Sequence, residues 1–420
     1  MLLGLENDSM NDYYTSIELG TNSIKILVCN KIGNSFNVIA SIDSPSEGIK
    51  NGNVIDTRCA INATKKAIKK INEKLNIKPT KVIACVPTTN CKMDIVVGSI
   101  TLDSDLKITG NEISDVINDS IKGQIREDEE LITAIPISFK VDNRDNIKNP
   151  KGMSGEELGV KVLISKSPKE LIYKILEVLK LSGLDVVDIA YTSTGDYYEV
   201  RSDRLDKEVG AIINIGEGST NISIFNKGIM IKNKIINVGS KNIDSDLTYI
   251  YKIDNKVSRN LKENFVVAIS SYADNNEICE ITTINGEKKE INQLDISKVV
   301  ESRCAQILNL AKKEIKNLTK REISYIIITG GVSELAGFQY LVENILGIKA
   351  RVCNIATIGI RHNKYSSVLG LIKYIDNKLK LRDKSISMIK EEDINAIISI
   401  NENNNNGNII NKVFGRFFEN

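Results

Sequence analysis

The chain has 420 residues, more than one ordinary core can serve, so two or more domains are expected. Hydrophobic residues at 41% and charged ones at 26% are the balance of a globular protein, and Lys+Arg 56 against Asp+Glu 54 leaves no electrostatic case for a dedicated nucleic-acid binder. No apolar run approaches the length of a membrane span, and one His with seven Cys, none in a Cys-x-x-Cys pair, speak against zinc chemistry.

Residues 1–10 lack the basic region and apolar stretch of a cleaved signal peptide, and ordered sequence is expected from Tyr13. Residues 13–19, 23–30 and 35–42 read as three strands rich in Ile, Val and Tyr; the short connections at Gly20 and Gly33 imply antiparallel pairing. Residues 57–75 read as a helix, with Ile61, Thr64, Ile68, Ile71 and Leu75 at three- and four-residue spacing. Residues 81–86 form a short buried strand that Pro87 stops. Residues 92–168 differ in character. They hold a strand at 94–100, a helix with Ile113, Val116, Ile117 and Ile121 on one face, an acidic run at 127–130, and strands at 131–141 and 159–165, with Pro150, Gly152 and Gly155 in the last loop. This compact unit reads as an insertion, and a helix at 169–182 resumes the main body. A helical region begins at 244–251, and a small β-rich stretch follows at 265–291. A long helix at 296–318 precedes a buried strand at 325–329 that ends in Gly330-Gly331. Residues 335–346 read as helical, and 366–378 close the second half. Residues 379–408 lose periodicity and end in the Asn-rich run 403–406, which reads as a flexible linker. The single His362 reads as a loop residue, and Cys29, Cys85 and Cys304 as buried free thiols of a reducing compartment.

The chain echoes itself. Ile17-Glu18-Leu19-Gly20-Thr21-Asn22-Ser23-Ile24 reads strand, glycine turn, strand, and Ile213-Asn214-Ile215-Gly216-Glu217-Gly218-Ser219-Thr220-Asn221-Ile222 reads the same. Each continues into a further strand after Gly33 or Gly228. Two lobes on one plan are therefore expected, starting near residues 13 and 209. A glycine turn lets backbone N–H groups approach phosphate oxygens with no side chain in the way. One such turn is weak evidence. Two equivalent turns followed by Thr329-Gly330-Gly331 at a strand end are far more specific for a nucleotide cleft.

These three motifs resemble the phosphate-1, phosphate-2 and adenosine motifs of the actin, Hsp70 and sugar-kinase superfamily, and within it the chain is similar to the FtsA family. Ser44-Pro45-Ser46-Glu47-Gly48 with Gly52-Asn53-Val54-Ile55-Asp56 resembles that family's early loop, and Ile135-Pro136 with Phe139, Asp142, Pro150 and Gly152 its inserted domain. Gly239, Asn242-Ile243, Asp246-Leu247, Glu301-Ser302-Arg303 and Tyr365–Leu371 extend the likeness over roughly residues 13–375. The resemblance implies an α/β, actin-like (ribonuclease H-like) duplicated two-lobe fold with an inserted α+β subdomain. The first lobe would take 13–91 and a return segment at 169–208, the insertion 92–168 and the second lobe 209–378. A flexible linker at 379–408 and an amphipathic membrane-targeting helix at 409–420 would follow. It implies ATP contacts from Gly20, Thr21, Asn22, Gly216, Gly218, Ser219, Thr220, Lys262, Gly330 and Gly331, with Mg²⁺ organised through water by positions 18 and 214. It implies a nucleotide-binding scaffold rather than an enzyme. That scaffold would self-assemble into filaments, bind the C-terminal tail of FtsZ through roughly residues 240–330 and lie on the cytoplasmic face of the plasma membrane at the division septum, with no nucleic-acid partner.

Departures from the pattern bear on the chemistry. The usual Asp is Glu18 in the first motif and Asn214 in the second, a usual Gly is Glu217, and a usual Glu is Arg259, although Lys262 beside it matches. ATP binding is therefore expected to be weak and hydrolysis slow or absent, while the fold is untouched. Glu217 either puts negative charge where the γ-phosphate would lie or turns toward the metal, and a cleft held shut by side chains is the structural alternative. Restoring Asp at 214 and Gly at 217 together is expected to tighten Mg·ATP binding.

The tail is a second, independent signal. Ile409, Ile410, Val413, Phe414, Phe417 and Phe418 occupy one half of a helix, with Lys412 and Arg416 on the other. Apolar and basic faces of this kind suit an anionic lipid surface; the bland alternative is a helix docked on its own core. Two other functions remain open: an actin-like adaptor of another envelope assembly, pilus-type, and a sugar-kinase-type phosphotransferase.

Overall fold

The computed structural model describes residues 12–76, 79–103, 107–381 and 388. Alternating apolar side chains build the first lobe's sheet from β1 (Asp12–Leu19), β2 (Ser23–Ile32) and β3 (Ser35–Pro45), a meander in which β1 and β2 pair from Asp12↔Lys31 to Leu19↔Ile24. A small hairpin of β4 (Ile49–Lys50) and β5 (Asn53–Val54) turns through Asn51 and Gly52, both at positive φ, 50° and 75°. Helix α1 (Thr57–Leu75) starts where Asp56 accepts the Cys59 N–H at 3.0 Å, and buries Ala60, Ala67, Ile68 and Ile71. Strand β6 (Lys81–Val86) then joins β1 in parallel.

The inserted unit runs through β7 (Lys92–Thr101), α2 (Gly110–Ile121), β8 (Glu129–Val141), β9 (Arg144–Ile147) and β10 (Glu157–Pro168). Its sheet has the order β7-β10-β8-β9, and α2 buries Ile113, Val116 and Ile117 against Phe139, Val160 and Val162. The main body resumes with α3 (Lys169–Leu181), β11 (Asp185–Tyr191) and α4 (Thr192–Val200).

The second lobe consists of β12 (Val209–Ile215), β13 (Thr220–Asn226), β14 (Ile229–Ile236), α5 (Ser240–Tyr251), α6 (Asn255–Asn264), the hairpin β15 (Ile278–Thr282) and β16 (Lys288–Asn292), α7 (Gln293–Leu318), β17 (Tyr325–Thr329), α8 (Phe338–Leu346), β18 (Ala350–Val352) and α9 (Ser366–Leu381). The duplication is complete at the level of topology. The first sheet reads β3-β2-β1-β6-β11 and the second β14-β13-β12-β17-β18. In both, the first two neighbouring pairs are antiparallel and the last two parallel. This is an actin-like two-lobe α/β fold with an inserted subdomain.

Helices α4 and α9 join the lobes. A Cβ on Gly370 would stand 1.8 Å from the Gly195 carbonyl oxygen, and one on Gly195 2.1 Å from the Ser367 oxygen, so the two helices cross at a point where only glycine fits. The Tyr197 ring stacks on Phe225 of the second sheet at 4.4 Å, and α9 carries Val368, Leu371 and Ile372 into the first lobe's core.

The end of the second lobe differs from expectation. Residues 379–381, assigned to a flexible linker, continue α9, because Leu379 packs on the core. Met388, also in that stretch, is buried; its N–H donates to the Tyr13 carbonyl at 2.8 Å and its sulfur accepts from the Thr15 N–H. The amphipathic segment at 409–420 lies outside the described residues. Among the described residues no helix is long and apolar enough to cross a membrane.

Candidate functional site

Between the lobes lies a cleft of about 470 Å³ walled by the two glycine turns. Both turns close in the same way: the Gly20 N–H donates to Ser23 O at 3.1 Å, and the Gly216 N–H to Ser219 O at 3.0 Å. The residue two before each glycine pairs across its hairpin in the same register, Glu18 with Lys25 and Asn214 with Asn221. The third motif packs onto the second: Gly330 has φ 91°, and a Cβ there would stand 2.4 Å from Ile215 O, whereas Gly331 borders open space.

Nine of the ten expected nucleotide-contacting residues line this cleft: Gly20, Thr21, Asn22, Gly216, Gly218, Ser219, Lys262, Gly330 and Gly331. Thr220 does not. It opens β13, is fully buried, and donates its hydroxyl to Val238 O at 2.8 Å. A second correction concerns roles. The amides of Gly20 and Gly216, expected as phosphate donors, are used inside their own turns. The N–H groups of Thr21, Asn22, Glu217 and Gly218, all cleft-lining residues, have no acceptor among the described residues.

The carboxylates beside the two glycine turns are engaged. Glu18 Oε2 lies 3.1 Å from Lys25 Nζ. Burial alone would depress the Lys25 ammonium, but Glu18 and Asp43 outweigh it and hold its pKa above the ordinary value. Asp43 in turn takes Lys364 at 2.6 Å, and Asp244 takes Lys262 at 2.6 Å with both side chains buried. Glu217, which the sequence left open between the γ-phosphate and a metal, turns to Arg259 at 3.0 Å, and the other arm of that guanidinium donates to Asn22 Oδ1 at 2.8 Å. Burial raises the Glu217 pKa, with Arg259 pulling against it.

Asn214 donates its amide to Asp196 Oδ2 at 2.7 Å and to Ser367 Oγ at 3.3 Å. Asp196 is a site residue that sequence reading missed. Fully buried on α4, it also accepts from Ser366 at 2.5 Å and Ser367 at 2.9 Å, yet burial pushes its pKa up to about 6. The missing charge at 214 has thus reappeared one side chain away. Its sequence signal was faint, a lone Asp in Thr194-Gly195-Asp196. Asn51 was missed as well. Its N–H donates to Thr21 Oγ1 at 2.8 Å and its amide to Asn237 Oδ1 at 3.3 Å, tying the first turn to the second lobe.

These contacts decide two expectations. Mg²⁺ needs hard oxygen ligands free of other duties. Glu18 has its charge matched by an ammonium, and Asn214 carries none and turns its amide donor to Asp196, so the positions expected to organise the metal through water fit it poorly. Among the described residues no group of three or more His, Cys, Asp or Glu is arranged so that it could hold a metal ion. Restoring Asp at 214 would set a carboxylate against Asp196 in a buried site, so the double change expected to tighten Mg·ATP binding would also be expected to destabilise the contact between the second turn and α4. His362 stands at the cleft edge, Nδ1 3.6 Å from Glu334; burial lowers its pKa.

Comparison with known proteins follows the same division of the chain. The family model described as Cell division protein FtsA matches residues 211–370, and that described as SHS2 domain inserted in FTSA matches 89–165. The Cell division protein FtsA of Bacillus subtilis (strain 168) is 25% identical over 392 residues, covering 92% of this chain and 89% of the relative. That of Streptococcus pneumoniae serotype 2 is 25% identical over 366 residues, covering 86% and 80%. Among solved structures, the PilM–PilN type IV pilus biogenesis complex aligns with TM-score 0.56 at 14% identity, covering 85% of this chain and 97% of that one. MreB5 of Spiroplasma citri bound to ADP aligns at 0.54 and 12% identity, covering 89% and 98%.

Proposed function

Because this chain belongs to the FtsA family of actin-like cell-division proteins, we propose that it is a membrane adaptor of the division septum, assembling on itself and tethering the FtsZ ring to the cytoplasmic face of the membrane. The observation that carries this reading is the inserted unit. A four-stranded sheet backed by α2 is set between β6 and α3, in the stretch matched by the model of the domain inserted in FtsA. The two lobes alone are shared with pilus-assembly and other actin-like proteins, so the likeness to PilM speaks to fold only. A sugar-kinase reading lacks support, because the carboxylates beside the two glycine turns already serve other groups, Glu18 with Lys25 and Glu217 with Arg259.

In this reading the tail of FtsZ docks on the second lobe within residues 240–330. Two side chains of α7 stiffen that surface: Arg303 grips Asp246 side-on through Nε and Nη2, at 2.6 and 2.7 Å, and Glu301 accepts the Ser270 N–H at 2.7 Å. Residues 409–418 fold onto lipid, with Phe414, Phe417 and Phe418 inserted and Lys412 and Arg416 facing headgroups. Ordering the peptide costs about 1–2 kcal/mol per residue, so one tail binds reversibly, and assembly raises avidity by roughly 10²–10⁴. The cleft takes a nucleotide, with its sugar end at Gly331, and takes it weakly, because Lys25, Lys262 and Lys364 are already paired with acids.

The test is a tagged copy followed in dividing cells, beside the variants Phe414→Glu and Phe417→Glu. The wild type should form midcell bands and both variants should become diffuse. Even peripheral staining that ignores the septum would reject the division reading, and undiminished septal bands in both variants would reject the tail's role.

A further inference from the structure

Deepening the nucleotide reading above, and resting on it, the phosphate end of the cleft indicates which nucleotide fits. Arg259 reaches from α6 across the gap between the lobes, one arm on Glu217 of the second turn and the other on Asn22 of the first. A guanidinium has five N–H donors in a planar fork that matches phosphate oxygens, and these two bonds leave donors over. Its side chain is 38% exposed against 17% for Glu217, so the cation stands at the open side and the carboxylate behind it.

The space beyond is narrowed at Asn51. A Cβ on Gly218 would stand 2.4 Å from Asn51 Oδ1, and Asn51 is held by Thr21 and Asn237. The tips of the two turns are therefore one side chain apart, and Asn51 is that side chain. A diphosphate laid from the Gly331 end would bring its terminal phosphate to Arg259. A third would have to displace Asn51 and lie against the Glu217 carboxylate, like charge on like charge in a partly desolvated site. Magnesium usually offsets such charge, but the positions expected to organise it are committed to Lys25 and Asp196.

We propose that the cleft takes a nucleoside diphosphate without magnesium, with Arg259 neutralising the terminal phosphate and Glu217 standing where a third phosphate would lie. The exchange of a glycine and a glutamate for Glu217 and Arg259 is then one change rather than two losses. The donors that meet the nucleotide are then built into the protein, beside the carboxylate that balances their charge.

Calorimetric titration of the full chain with ADP and with ATP, each in Mg²⁺ and in EDTA, tests this. ADP should bind equally in both buffers, and Mg·ATP about tenfold or more weakly than ADP. Arg259→Ala should weaken ADP binding in EDTA by about tenfold or more, as expected for a lost charge-assisted fork, with Arg259→Lys intermediate. Glu217→Gly should narrow the gap between ADP and ATP. ADP binding that disappears in EDTA, or a preference for Mg·ATP, would overturn the proposal while leaving the cleft a nucleotide site. No heat with either nucleotide in either buffer would overturn both. The two wild-type titrations decide the matter even if a variant fails to fold.

Discussion

In the first lobe Glu18 faces Lys25 across the hairpin at 3.1 Å and the pair neutralises itself; in the second lobe the same two places hold Asn214 and Asn221. The backbones agree down to the bond that closes each turn, 3.1 and 3.0 Å. The side chains do not. Asn214 and Asn221 send their amides to Asp196 and Ser193 of α4, at 2.7 and 2.8 Å. The turn is thus specified by glycine and strand pairing, while the polar residues beside it specify what the turn is fastened to. The first turn is bonded within its own lobe at this pair, and the second is fastened to the hinge. The second turn, which also carries Glu217, is therefore bonded through Asn214 to the helix that crosses at Gly195–Gly370.

Substituting one lobe's chemistry into the other tests that contrast. Asn214→Asp gives the second turn the acid that the first one has. With no lysine opposite and Asp196 at hydrogen-bond distance, it should cost about 4 kcal/mol in urea unfolding at pH 7. Most of the loss should return in the swap Asn214→Asp with Asp196→Asn, or at pH 5, where Asp196 is protonated. A neutral Asn214→Asp would show that the second turn is not tied to the hinge.

The same carboxyl predicts a pH window. Its pKa is raised from 3.8 to about 6 by burial, so the folded protein holds its proton more tightly than the unfolded chain. Its stabilising effect is complete below about pH 4 and fades as pH rises through about 6, a difference of about 3 kcal/mol. Stability of the wild type relative to Asp196→Asn should fall across that interval; a flat difference would contradict the buried charge. The smallest effect is expected in the first lobe. Glu18→Gln leaves the Lys25 ammonium without its partner in a largely buried place, and should cost about 2 kcal/mol with no change at the hinge. A larger loss than that of Asn214→Asp would reverse the comparison.

What could be read from the sequence was what local geometry dictates. Strands β6 and β17 have the expected ends, because one is stopped by Pro87 and the other by Gly330, and α1 runs from its Asp56 cap to Leu75 as its spacing required. Strand β9 was not legible: Arg144–Ile147 is a short edge strand with charged, outward side chains. Helix α4 was not legible either, since Thr, Ser, Gly and Asp are poor helix formers and its stability comes from the crossing with α9. At the site, the three motifs were visible as glycine patterns. The pairing of Glu217 with Arg259, 42 residues apart, was not, so each looked like a loss on its own. The role of Asp196 depends on Ser366, Ser367 and Asn214 converging from distant parts of the chain, which no local pattern encodes.

The adaptor reading is tested most directly by reconstitution: full-length chain, anionic vesicles and labelled FtsZ, with vesicle-bound FtsZ measured by flotation. FtsZ should float with the vesicles only when the chain is present, and should be lost when either residues 409–420 or the FtsZ tail is removed. Vesicles that carry the chain but leave FtsZ in solution would contradict the account.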